Sequence, residues 1–413
     1  MAKNSAGETP EQSEFRAHCR EWLKKNVPAP PAFKMPATSG GILSLEQLEY
    51  ARSWQLSAYN AGLIGCDYPS EYGGGGRSNC QAIANQEMRN ARTPVLAGMV
   101  GLQIVAGSMC IHGSEAVKRR FLGSIFSAQE LWCQGFSEPC AGSDLASLQT
   151  FAQRKGDRWI INGHKVWTSM AQFADWMLLA ARTDKHEKYK GLTVFVVPVK
   201  AELDKSVTVR PLVKITGDAE FNEVRLDNLE IEDSYRVGEI GEGWNVISTT
   251  LAHERGAGFY IEPLSGGQGL QSKSQKAEKI YPLVELARNS VKNGKPVSED
   301  PVLMDRLMKM LTRSQGIRQM RRMRSVKDLA GNPARFAMQD KVVAADYLQQ
   351  MSALAMEIQG CGSTLATSDP NAPDGGRWSR SYLDSFGATI AGGTNEIQRN
   401  IIGEKILGLA KTK

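Results

Sequence analysis

A chain of 413 residues exceeds what one hydrophobic core usually organises, so two or three domains are expected. Hydrophobic residues at 41% and charged residues at 23% are those of a globular protein and exclude a disordered or fibrous one. The net charge of +6 calls for no nucleic acid, although it suits an anionic ligand or partner.

The N-terminal MAKNSAGETPEQ is polar and lacks an apolar core, so no secretory signal is expected. No apolar run approaches the roughly 18 to 20 residues that a membrane span needs. The seven cysteines (Cys19, Cys66, Cys80, Cys110, Cys133, Cys140, Cys361) are scattered, odd in number and without a CxxC pair. That argues against a disulfide framework and a zinc site and predicts a reducing, cytoplasmic setting.

From Gln12 to about Gln129 the pattern is helical, with Phe15, Cys19, Trp22 and Leu23 at three-and-four spacing. Pro28, Pro30 and Pro31 end that first helix. The glycine run Gly73 to Gly76 must be a loop; 85–89 and 102–109 read as helices, with a turn at His112-Gly113. From Leu131 to about Gly238 the texture is that of strands, at 176–181, 192–199 and 221–226. Within 158–167, Asn162-Gly163 predicts a hairpin turn, because type I′ geometry needs positive φ at both central residues. From Trp244 onward long helices return, including 301–329 and 336–358, and the polar, Pro- and Gly-rich stretch 368–376 reads as an exposed loop.

These shifts divide the chain into 1–130, 131–238 and 239–413. The order helical, β, helical predicts an α+β multidomain protein with segregated layers, and it lowers the expectation of a Rossmann fold. No GxGxxG, Walker A loop, HExxH or GxSxG occurs in a credible context.

Two segments carry chemistry. In Gly135 to Asp144 (GFSEPCAGSD), Pro139 and Gly142 force a turn after a strand, and Ser137, Ser143 and backbone N–H groups offer donors to a heterocycle edge or a phosphate oxygen. Taken alone it reads more readily as a plain surface turn. Downstream, Trp167 and Ser169 end a strand with an aromatic face and a hydroxyl close together, and for Trp167 taken alone core packing is the favoured reading.

Together, at this spacing, the segments resemble the central domain of the acyl-CoA dehydrogenase family, whose pattern is Tyr/Phe-x-x-Thr/Ser-Glu-Pro-x-Ala-Gly-Ser-Asp followed by Asn-Gly-x-Lys-x-Trp-x-Ser/Thr. The resemblance runs through nearly the whole chain, from FRAHCREWL through HGSEAVKRRFL to GGTNEIQRNIIGEKILGL. It implies an all-α N-terminal domain, a β-barrel-like middle domain and a C-terminal four-helix bundle, usually in a tetramer with FAD at a subunit interface. It places Gln134, Phe136, Ser137, Gly142 and Ser143 along the flavin ring or the substrate's pantetheine path. Trp167 would lie against the isoalloxazine with Ser169 donating to it, and Thr394 and Glu396 match positions that contact the flavin phosphates and adenosine.

The implied chemistry is α,β-dehydrogenation of an acyl-CoA thioester to the 2-enoyl-CoA: a carboxylate takes the α-proton while hydride passes from the β-carbon to flavin N5. Such a base works best when burial raises its pKa to roughly 6–7. Many members carry this Glu just before the Gly-Thr of the C-terminal motif, where this chain has Gly392. A branch of the family takes the base from an earlier helix, in a Glu-Arg pair. Here Glu254-Arg255 stands at that place, shortly after the turn ending at Trp244. Glu254 is therefore the expected base, with Arg255 placing the helix or the thioester end of the substrate. Gly392 is expected to polarise the thioester carbonyl through its backbone N–H, as an oxyanion hole does. The bare alternative for Glu254-Arg255 is a surface ion pair.

Other positions depart from the family pattern. The Arg-x-x-Phe-Gly that reaches the flavin pyrophosphate is matched only at Arg288, without the Phe-Gly, and Gln-x-x-Gly-Gly becomes Glu357 to Cys361 (EIQGC). A partner subunit could complete the FAD site, since some relatives are α2β2 assemblies in which one subunit type lacks the base. The expected acceptor is an electron-transferring flavoprotein; a partner subunit without its own catalysis and a flavin oxidase or monooxygenase are the alternatives. The basic stretch Arg313 to Lys327, with Arg318, Arg321, Arg322 and Arg324, lacks interleaved aromatics, so a solvated face or a patch for CoA phosphates or a partner is expected ahead of nucleic acid. His112, His164 and His253 form no ligand cluster in the sequence, and metal is not expected.

Overall fold

The computed structural model describes residues 8–36, 39–254, 280–292, 294–323 and 333–411. These fall into two compact units, one within Met1–Val213 and Ala219–Gly269, the other within Lys214–Asp218 and Leu270–Lys413.

The first unit opens with helix α1 (Pro10–Asn26), which begins at a capping box: the Thr9 side chain accepts from Gln12 N–H, and the Gln12 side chain returns a bond to Thr9 N–H. Phe15, Cys19 and Leu23 are its buried stripe, as the spacing predicts. Helix α2 (Leu45–Asn60) starts with the same device at Ser44 and Gln47. Helices α3 (Gln81–Asn90), α4 (Ala106–His112) and α5 (Glu115–Ser127) follow. Gly113 adopts extended geometry where the turn after His112 is expected.

Eight strands form one sheet in the order β6-β7-β3-β2-β4-β5-β8, with β1 pairing on β4. They are β1 (Trp132–Gly135), β2 (Phe151–Lys155), β3 (Arg158–Ser169), β4 (Trp176–Arg182), β5 (Leu192–Pro198), β6 (Val207–Leu212), β7 (Phe221–Glu232) and β8 (Arg236–Val237). Strands β4 and β5 are continuous apolar runs because both of their faces are covered. Leu178, Ala180, Val194 and Val196 join the core shared with the helices, whereas Met177, Leu179, Phe195 and Val197 join a second core with Trp159 and Val224. Strand β7 has one buried face and alternates accordingly.

One expectation fails. Asn162-Gly163 is not a hairpin turn but lies inside β3, at a register shift against β7. His164 is accordingly in mid-strand, opposite Arg225. The reversal comes earlier, where Gly156 at φ +65 and Asp157 join Lys155 to its partner Arg158. Gly163 is needed for a different reason: a Cβ there would lie 2.2 Å from Thr150 Oγ1.

Helix α6 (Gly243–Glu254) closes the described part of this unit. The second unit holds α7 (Tyr281–Asn289), the small hairpin β9 (Val291–Lys292) and β10 (Lys295–Pro296), α8 (Pro301–Met323), α9 (Pro333–Gln359), α10 (Arg377–Ile390) and α11 (Asn395–Ile401). Leu283, Leu303, Leu307, Tyr347, Leu354 and Trp378 fill its core. Part of the basic stretch is spent on α9: Arg313 donates to Gln350 at 2.7 Å and Arg321 pairs with Asp340 at 2.8 Å. Arg324 and Lys327 lie outside the described residues. Among the described residues no helix is long and apolar enough to cross a membrane.

Candidate functional site

Strand β1 delivers the GFSEPCAGSD loop. Gly135 allows it to pass the sheet, because a Cβ there would meet Met177 Sδ at 2.3 Å. The turn closes as expected, with Glu138 and Ala141 exchanging backbone bonds of 3.1 Å. Phe136 turns its ring into the helical core, so the loop surface receives its backbone and not its ring. Gln134 and Ser137 are half-buried, while Gly142 and Ser143 face open space.

The end of β3 meets this loop directly. Val166 N–H donates to Ser137 O at 2.9 Å. Beside it Lys165, fully buried, pairs with Glu138 at 2.8 Å and donates to Phe136 O at 3.1 Å. Glu138 also accepts from Gln149 N–H at 2.6 Å and Thr150 N–H at 2.8 Å. Burial pushes the Glu138 carboxyl up, but Lys165 and these donors outweigh it and hold it below the ordinary carboxylate range. Burial pulls Lys165 down to about 8, against the attraction of Glu138. The pair is thus ionised at neutral pH and locks loop to strand.

A second register shift, between Lys165 and Thr168, puts Trp167 in the left-handed region at φ +61. For a bulky residue this costs of order 1–3 kcal/mol and persists only where the surroundings over-determine it. The result is an aromatic face on display: Trp167 is 54% exposed, steadied edge-on by Phe221 at 5.7 Å. Asn222 holds the next carbonyl, donating to Thr168 O at 3.1 Å. Half-buried Ser169 ends the strand opposite Phe221.

The far side of the loop is fixed by Arg182, whose guanidinium donates to Leu148 O at 3.1 Å and Glu187 O at 2.7 Å, among five backbone carbonyls. Lys165, Glu138 and Arg182 were missed as site-builders in the sequence. Lys165 had a readable signal, since period two from Trp159 and Ile161 places it on the buried face of β3.

Helix α6 carries Glu254 as its last described residue, half-buried. It is seated on α4 by Thr250 Oγ1 donating to Ser108 Oγ at 2.8 Å and by His112 Nε2 and Thr249 Oγ1 at 2.8 Å. Burial lowers the pKa of His112, which favours its neutral form. His253 packs so tightly that a Cβ on Gly107 would meet its ring at 2.5 Å. Arg255 lies outside the described residues.

In the second unit Gly392 and Gly393 both adopt left-handed φ, +70 and +87. Thr394 caps α11, its hydroxyl accepting from Ile397 N–H at 3.2 Å. Glu396 is exposed, and backbone N–H donation at the helix start lowers its pKa. Arg288 pairs with Glu285 at 3.0 Å on the surface of α7, and Glu357 pairs with Arg306.

The structure therefore joins Gln134, Ser137 and the 142–143 turn to Trp167 and Ser169 through one hydrogen-bonded frame. Its donors are neutral hydroxyls and peptide groups beside a displayed indole, which fits the uncharged ring system of a flavin. Among the described residues no group of three or more His, Cys, Asp and Glu side chains could hold a metal ion.

Comparison with known proteins identifies the family. Residues 9–129, 133–229 and 241–407 match the family models for the acyl-CoA dehydrogenase N-terminal, middle and C-terminal domains. Acyl-CoA dehydrogenase IpdE1 of Mycobacterium tuberculosis is 37% identical over 406 residues, 96% of this chain and 98% of that protein. Acyl-CoA dehydrogenase FadE26 of the same organism is 30% identical over 420 residues, 98% of each chain. Among solved structures, one described as the Tcur3481-Tcur3483 steroid ACAD superposes with a TM-score of 0.70 at 27% identity, covering 98% of this chain and 99% of that one. The ChsE4-ChsE5 complex from Mycobacterium tuberculosis gives 0.69 at 27% identity, covering 99% and 100%. With its helical N-terminal, sheet-rich middle and helical C-terminal regions and its flavin-type loop, the chain belongs to the acyl-CoA dehydrogenase family of FAD-dependent oxidoreductases.

Proposed function

We propose that this protein catalyses α,β-dehydrogenation of an acyl-CoA whose acyl group is bulky and ring-bearing, with Glu254 as the base. The observation that carries the reading is the glycine at 392: the usual carboxylate is replaced by a residue with no side chain, while Glu254 is the last described residue of a helix pinned to α4. Removing a carboxylate from the 392 turn leaves room there, and the steroid acyl-CoA dehydrogenase among the similar structures points to the same class of acyl group.

Bound FAD supplies the two-electron acceptor. In this reading Trp167 and Ser169 fix the ring edge, Gln134, Ser137, Gly142 and Ser143 line the approach, and Thr394 and Glu396 hold the distal part of the cofactor. Gly392 N–H draws electron density from the thioester carbonyl and acidifies the α-proton, which passes to the Glu254 carboxylate. Arg255, outside the described residues, would place the helix or the thioester end of the substrate. Electrons leave to an electron-transferring flavoprotein, in a reducing cytoplasmic setting that suits seven free cysteines.

Loss of a positioned base costs about 10²- to 10⁴-fold. Glu254→Gln should therefore keep its FAD and bleach it under anaerobic mixing with a ring-bearing acyl-CoA at least about 100-fold more slowly. An undiminished rate sinks the assignment; faster bleaching by short straight-chain acyl-CoAs sinks the substrate class.

A second reading is favoured by Arg288, which is engaged on its own helix with Glu285, and by the two-component ChsE4-ChsE5 complex among the similar structures. In it this chain is the base-bearing subunit of an α2β2 assembly. FAD occupancy that rises on co-expression with a related chain supports it; full occupancy and activity of the chain alone support a homotetramer.

A further inference from the structure

The double-glycine turn at 392–393 is the softest point of the segment assigned to the thioester. Both residues lie at left-handed φ, +70 and +87, and neither has a Cβ to restrict it. A peptide N–H stabilises developing charge only when it is aimed before the reaction begins. Something must therefore hold the peptide between Ala391 and Gly392.

Two bonds bracket that peptide. On one side Ala391 N–H closes α10 on Gly387 O at 2.9 Å. On the other, Gln398 Nε2 donates to Gly392 O at 2.7 Å. Gln398 has 0% exposure, and its helix is tied to the long α9. Lys341 donates to Thr389 O at 3.3 Å, in the last turn of α10, and to Asn395 Oδ1 at 2.8 Å, in the first turn of α11. Asn395 donates in turn to Asp346 at 2.7 Å, and Arg399 reaches the other oxygen of Asp346 at 3.1 Å. One helix thus grips both sides of the turn.

The amide of Gln398 is kept at a cost. Its Oε1 is buried and has no hydrogen-bond partner among the described residues, a desolvation penalty that an apolar side chain of equal length would avoid. The donor end is what the position is for.

We propose that Gln398 is the positioning residue that aims the Gly392 N–H at the thioester carbonyl, with Lys341, Asn395 and Asp346 as its frame. It stands in for the restriction that a side chain at 392 would impose. The inference rests on the reading of Gly392 as thioester donor.

The test is the carbonyl stretch of a 2-enoyl-CoA, labelled with ¹³C at the thioester carbon, bound to the FAD-loaded enzyme. In the wild-type protein the band should lie below that of the free ligand. Gln398→Met keeps the length and loses the donor; Gln398→Glu keeps the shape, loses the donor at neutral pH, and carries the test if the Met variant does not hold FAD. Both should return the band toward the free position and lower kcat about 10-fold or more, with KM changed far less. A wild-type shift that both variants retain overturns the role of Gln398 and leaves that of Gly392 standing. A wild-type band at the free position removes the Gly392 reading and this proposal with it.

Discussion

Lys165 and Glu138 are 27 residues apart in the sequence, yet their 2.8 Å contact holds the flavin-type loop on β3. Removing one partner leaves the other as an uncompensated buried charge, a loss of about 3–5 kcal/mol. Lys165→Met and Glu138→Gln should each lower stability by that order, read as a fall in the urea unfolding midpoint, with FAD affinity falling alongside. The pH dependence has two limbs. Glu138 is held below its ordinary 4.5, so its contribution is complete above that value and is lost as the pH falls through the folded-state pKa. Lys165 is held at about 8 against an ordinary 10.5, so between these values the unfolded chain binds more protons and the contribution of Lys165 rises with pH. Glu138→Gln should flatten the acid limb of the unfolding midpoint; an acid limb as steep as the wild type's would show that other carboxylates carry it. The motif residues were legible as a flavin pattern, but the buried pair was not, because a charged residue's partner across the sheet is a tertiary fact that spacing does not encode.

At the scale of elements, β3 shows how a local signal is overruled. Asn-Gly is the strongest short hairpin cue, yet at 162–163 it sits in mid-strand while the chain reverses at Gly156-Asp157. The reason is packing: Gly163 lets the Thr150 side chain lie against the strand, where a Cβ would be 2.2 Å from Oγ1. Gly156 has open space around it and needs glycine only for its φ of +65. The two glycines should therefore respond differently to alanine. Gly156→Ala should cost about 1–2 kcal/mol, the left-handed penalty alone. Gly163→Ala should cost more, since overpacking a filled core adds about 1–3 kcal/mol and the displaced Thr150 disturbs the loop that binds Glu138. Denaturant midpoints of the two variants check the order; equal losses would mean that β3 shifts to absorb the methyl. By contrast α1, β4 and β5 were legible from residues 15–23, 176–181 and 192–199, because burial of their apolar faces agrees with local periodicity.

At the scale of the molecule, the helical, β, helical succession was legible because each texture persists for a hundred residues or so, long enough to outweigh misread turns such as that at 162–163. What a single sequence conceals is how much apolar surface the folded chain leaves exposed. The C-terminal segment is pinned by Leu407 N–H on Ile402 O at 3.0 Å and Leu409 N–H on Gly403 O at 2.9 Å. Its backbone is thus fixed while its leucines stay in water, 64% and 60% exposed. On the same unit Tyr281, Val302 and Ile390 are also large, apolar and exposed. Single exposed leucines are ordinary, but pinned neighbours left mostly in water are a standing cost that association with a second chain would relieve. Sedimentation of the FAD-loaded protein at micromolar concentration should therefore give an oligomer. The double variant Leu407→Ser, Leu409→Ser should shift the distribution toward smaller species while its circular dichroism stays unchanged, because both side chains stand mostly in water. A wild-type protein that sediments as a monomer, or a double variant with the wild-type mass, would mean that the exposed leucines serve no interface, and the cost of leaving them in water would then be borne by the folded chain alone.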